Sequence, residues 1–130
     1  MKICSITPVL NEEFFIENFI ISNSKYVDEM IISDGGSKDN TLNIIQKYIN
    51  MGFNIKLIHH TQGKAYTDEF NQDSCLNAMI DLAKDYDYII QLDADEELLN
   101  HHVILKEIIN IFLRMNILLL KLKVYHYQSD

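Results

Sequence analysis

The sequence predicts a three-layer α/β/α sandwich built around a mainly parallel sheet. Short apolar runs of strand length alternate with longer segments of helical periodicity. The alternation implies right-handed crossovers, with helices covering both faces of the sheet. Three of the strand-like runs end in polar or turn-forming clusters, as the carboxyl edge of such a sheet commonly does.

The elements follow in order. Ile3-Cys4-Ser5-Ile6 is an apolar run stopped by Thr7-Pro8. Pro8 has no N–H to donate, so the spacing predicts a first, central strand that ends there. Phe15, Ile16, Phe19 and Ile20 then recur at helical spacing from Glu12 to about Ser24. A second strand is expected over residues 29–33, followed by the Asp34-Gly35-Gly36-Ser37 turn, whose glycines admit positive φ. Ser37 or Asp39 is the candidate cap of a helix with Leu42, Ile45 and Ile49 inward and Gly52 as its stop. Residues 55–58 read as the third strand, and residues 59–67 as a loop carrying Gly63-Lys64. A helix opened by Thr67 or Asp68 places Cys75, Met79 and Leu82 on one face and ends near Asp85. Residues 88–92 form the fourth strand, residues 103–116 a further helix, and residues 118–125 a last strand that alternates Leu and Val with Lys and Tyr.

The 130 residues, 48% hydrophobic and 23% charged, suit one domain spanning residues 1–130 with a real core. A net charge of −8 argues against nonspecific nucleic-acid binding, which needs clustered Lys and Arg. Cys4 and Cys75, with no signal-peptide pattern, fit a reduced cytoplasmic setting and buried thiols. The apolar stretch at residues 117–120 is too short to span a bilayer. His59-His60 and His101-His102 are adjacent pairs, a spacing that does not aim both rings at one metal; His126 is a weak candidate for approach to a metal.

Asp93-Ala94-Asp95-Glu96 directly follows the fourth strand. Carboxylates crowded there offer hard oxygen ligands to a divalent cation, although acidic residues also favour the first turn of a helix. The other two strand-end clusters are Thr7-Pro8-Val9-Leu10-Asn11-Glu12 and Asp34-Gly35-Gly36-Ser37-Lys38-Asp39. Each has a local structural role available. Asn11 and Glu12 can open the first helix, Asp34 and Ser37 can form a turn, and Asp39 can cap a helix.

Taken jointly, Thr7-Pro8-Val9-Leu10-Asn11-Glu12-Glu13, Ser33-Asp34-Gly35-Gly36-Ser37-Lys38-Asp39-Asn40-Thr41 and Gln91-Leu92-Asp93-Ala94-Asp95-Glu96 resemble the family 2 glycosyltransferases with the GT-A fold. They are similar to the family's P-x-x-N-E segment, D-G-G-S-x-D-x-T turn and D-x-D motif, in the same order. The resemblance implies a Rossmann-like, N-terminal half of the GT-A fold that takes a nucleotide-diphosphate sugar, UDP-sugar foremost. It implies nucleotide contacts from Thr7, Pro8, Asn11, Glu12, Asp34, Gly35 and Asp93. It also implies a Mn²⁺ or Mg²⁺ on Asp95 with Asp93, and an acceptor the motifs do not identify.

Family members usually continue into an acceptor-binding half that carries the general base. No Asp or Glu takes that role from the motifs here, and Glu96 and Glu97 are candidates by proximity alone. The helix before the fourth strand carries Asp73-Ser74-Cys75-Leu76-Asn77 where the family often has a basic residue, so a phosphate contact is either lost or moved to Lys64. Two other classes remain in view: a nucleotide-sugar-binding module without turnover, and a receiver-type signalling domain, against which the third strand's Ile58-His59-His60 ending speaks. The alternating last strand is a candidate edge for pairing with a second copy.

Overall fold

The computed structural model of the chain describes residues 2–60 and 69–97, with side chains of the third helix from Cys75 onward. The expected Gly63-Lys64 loop, the helix at 103–116, the strand at 118–125, His101-His102 and His126 lie outside these residues.

The elements run β1 (Ile3–Val9), α1 (Ile16–Asn23), a 3-10 turn (Ser24–Tyr26), β2 (Glu29–Asp34), α2 (Thr41–Asn50), β3 (Ile55–His59), α3 (Glu69–Leu82) and β4 (Tyr88–Gln91). The four strands form one sheet in the order β3-β2-β1-β4, and every pair is parallel. The chain winds outward in one direction from β1 to β3, then crosses back to place β4 on the far side of β1. The carboxyl ends of β1 and β4 therefore flank the switch point where such sheets hold ligands.

Alternation along β1 divides the core. Ile3 and Val9 face one side with Met30 and Ile32 of β2 and Ile90 of β4, against Ile16, Phe19 and Ile20 of α1 and Ile45 and Tyr48 of α2. Cys4 and Ile6 face the other side with Ile31, against Cys75 and Met79 of α3 and Ala83 just beyond it. The packed row on α3 thus runs 75, 79, 83 rather than 75, 79, 82, and Leu82 is turned out to solvent. Both cysteines are buried and form no disulfide. Burial pushes the Cys4 thiol up to about 12, with the Glu29 charge adding to the rise.

Two boundaries differ from expectation for physical reasons. β1 continues through Pro8 to Val9. The backbone groups of Ile6 face β4, where its carbonyl accepts the Leu92 N–H at 3.1 Å, and those of Val9 face β2, where its carbonyl accepts the Gly35 N–H at 2.9 Å. Pro8 is in the set that faces β4, and β4 pairs only as far as Gln91 opposite Ile6. The missing N–H therefore interrupts no ladder. The first helix begins at Ile16 rather than Glu12, because residues 13–15 form a turn and Asn11 takes a positive φ of 51°.

The end of α2 matches the expected glycine stop. Gly52 has φ 99°, its N–H donates to the Ile49 carbonyl at 3.0 Å, and the Phe53 N–H reaches back to the Tyr48 carbonyl at 3.1 Å. This paired closure uses two orphan carbonyls of the last turn. The Tyr48 and Phe53 rings meet edge to face at 5.1 Å and seal it.

Candidate functional site

The loops after β1 and β2 are laced together by side-chain to backbone bonds. Asp34, at the end of β2, is 1% exposed and accepts the N–H groups of Gly36 at 2.8 Å and Ser37 at 2.9 Å on Oδ2. Its Oδ1 accepts the Ser37 hydroxyl at 2.5 Å. Gly36 takes φ 98°, the left-handed conformation that lets the turn fold back over the carboxylate. Ser37 Oγ also accepts the Asn11 N–H at 2.9 Å, and Asn11 Oδ1 accepts the Lys38 N–H at 2.8 Å. Asn11 thus joins the two loops rather than capping the first helix.

One step further on, the Thr41 hydroxyl accepts the Glu12 N–H at 2.8 Å and donates to Asp39 Oδ1 at 2.5 Å. Asp39 Oδ1 also accepts the Thr41 N–H at 2.9 Å, which is the expected cap of α2 supplied from the residue before its N-cap. Thr7 is fully buried, with its hydroxyl inside the core, so any ligand contact from this residue would be made by its main chain. Pro8 is half-buried and Gly35 is buried.

The acidic segment after β4 folds as a turn, with the Glu96 N–H donating to the Asp93 carbonyl at 2.9 Å. Ala94 is buried in the α1/α2-side core and anchors it. Carboxylate oxygens of Asp93, Asp95 and Glu96 all lie within 4.8 Å of one another. Three hard anionic donors at that spacing suit a Mg²⁺- or Mn²⁺-like ion. Glu12 stands close by: its carboxyl is pushed up from the ordinary value by burial first, then by the negative charges of Asp95, Asp39 and Asp93. The structure thus brings Glu12, Asp93 and Asp95 to one place, with Asp34 in the neighbouring loop. Glu96, part of the acidic tetrad in the sequence but not of the Asp95 and Asp93 pair to which the family resemblance gives the metal, joins them as a buried member of the cluster.

On the α3 side of the same edge, His60 Nδ1 lies 2.7 Å from Ser33 Oγ and 3.3 Å from Cys75 Sγ. Its main-chain N–H donates to the Asp34 carbonyl at 3.0 Å, so the group braces the strand end that carries the Asp34 turn. Burial of the ring lowers the His60 pKa from the ordinary 6.5, opposed by the Asp34 charge and reinforced by His59. Folding therefore favours the neutral ring relative to the unfolded chain. The associated stability is full above the unfolded value and declines as pH falls through the lowered folded one. Urea midpoints at pH 7.5 and pH 5 should show a larger acid loss for the parent chain than for His60→Gln; equal losses would contradict this assignment.

This architecture, a parallel sheet with a switch point beside an acidic turn, is the GT-A form of the α/β sandwich. The model of glycosyl transferase family 2 matches residues 4–108, and the chain belongs to that family. Among solved structures, a mannosyltransferase from Pyrobaculum calidifontis in complex with GDP-Man and Mn²⁺ superposes with a TM-score of 0.60 at 21% identity. The match covers 79% of this chain and 30% of that enzyme, so this chain spans about a third of its length. No protein of curated function matches the chain. Among the described residues, no helix is long and apolar enough to cross a membrane.

Proposed function

We propose that the chain is the donor-binding part of a glycosyltransferase, holding a nucleoside-diphosphate sugar through a divalent cation on Asp93 and Asp95. The observation that carries the reading is the convergence of the Asp93, Asp95 and Glu96 carboxylates within 4.8 Å at the sheet's switch point. When bound, Mn²⁺ or Mg²⁺ neutralises the diphosphate and stabilises the departing nucleoside diphosphate. In a chain of net charge −8 the anionic donor needs such a counter-charge.

The other residues bind and orient. Three of the roughly four acceptor positions of the Asp34 carboxylate are used by its own turn. The remaining one suits the single N3–H donor of a uracil base. Glu12 and Asn11 then border the ribose. Uracil is the base we favour, with the sugar transferred to an acceptor held outside these elements. The P. calidifontis enzyme holds a guanosine donor, which makes GDP-sugars the natural comparison.

Calorimetry with UDP- and GDP-sugars, with and without Mn²⁺, tests the reading. Affinity should rise at least tenfold with the metal, and Asp95→Ala should abolish that gain. Equal affinity in the presence and absence of metal would overturn it.

A further inference from the structure

Asn23 is the last residue of α1 and is 0% exposed. It follows Ile16, Phe19 and Ile20 on the helix's packed stripe, a position where an apolar side chain would be expected. Its Nδ2 instead donates to the main-chain carbonyl of Glu96, 73 residues away, at 3.0 Å in a buried setting. The acidic turn is closed at its start by the Glu96 N–H to Asp93 carbonyl bond. The Asn23 amide holds the same peptide segment from the other side, at the residue whose carboxylate completes the three-carboxylate cluster.

We propose that Asn23 is a positioning residue for the metal centre, setting the place of Glu96 relative to Asp93 and Asp95; this rests on the metal reading above. An apolar side chain of the same size would fill the volume but take this amide donor away from the Glu96 carbonyl. The peptide would rotate, and the carboxylate it carries would move with it. Groups that orient metal ligands from behind typically govern ten- to hundredfold in metal affinity.

The test is Mn²⁺ titration of the full chain, followed by paramagnetic resonance and by thermal unfolding. Asn23→Leu, and Asn23→Ser should the first not fold, should weaken Mn²⁺ binding ten- to hundredfold. Ile20→Val, on the same stripe one turn earlier, should destabilise the fold while binding Mn²⁺ as the parent does. Because Asn23 acts through Glu96, Asn23→Leu placed on Glu96→Gln should cost less than threefold more. Parent-like Mn²⁺ affinity in a folded Asn23→Leu chain, or fully additive losses in the double variant, would overturn the positioning role alone. A parent chain that binds no Mn²⁺ would overturn the metal reading and this inference with it.

Discussion

Asp34→Ala should destabilise the chain by about 3 kcal/mol, a fall in Tm of roughly 10 °C for a domain of this size. The carboxylate is buried and answers two main-chain N–H groups and the Ser37 hydroxyl, and Ser37 in turn answers the Asn11 N–H. Alanine leaves these donors to water in a turn whose backbone already runs through positive φ at Gly36. Asp34→Asn should fall between the two, because its amide oxygen keeps part of the network while its NH₂ faces donors. Thermal unfolding of the three proteins checks the order; an alanine variant within 0.5 kcal/mol of the parent would show that the loop lacing contributes little. The same substitution removes the candidate base acceptor, so the turn's stability and nucleotide binding should decline together.

Mn²⁺ at about one hundred times its dissociation constant should raise the stability of the parent chain by about 2.7 kcal/mol, and Asp95→Asn should erase that rise. Without metal the same variant should be slightly more stable than the parent, by about 0.5 kcal/mol. Asp95 is exposed, and its charge is among those that push the Glu12 carboxyl upward. Removing a charge from a crowded acidic group relieves repulsion when no cation is present and forfeits a ligand when one is. The two Tm curves against metal concentration should therefore cross. Parallel curves would mean that the acidic cluster is only a solvated turn.

Much of the fold was legible because the local patterns and the tertiary arrangement agree. The order of the elements, the central place of β1 and the Gly52 stop followed from apolar spacing and glycine chemistry. Where the reading failed, the deciding fact lay on another strand or helix. Whether Pro8 ends β1 depends on where β4 stops, and whether Leu82 or Ala83 packs depends on how α3 sits across the sheet. At the candidate site, the acidic turn carrying Asp93 and Asp95 was visible from its place after an apolar run. Their closeness to Glu12 and the burial of Glu96 come from the crossing that puts β4 beside β1. Asn23 did leave a trace, a polar residue seven positions after Ile16 on a stripe of large apolar ones, but its partner lies far along the chain.

Pro8 and the end of β4 at Gln91 suit each other. Any other residue there would offer an N–H to β4 and invite the two strands to go on zipping, drawing Asp93 into the sheet with its backbone committed. With proline there, continuing the register would set a residue without an N–H opposite Asp93, and the pairing has already stopped at Gln91. The acidic turn thus leaves the sheet beside a strand position that has no N–H with which to call it back.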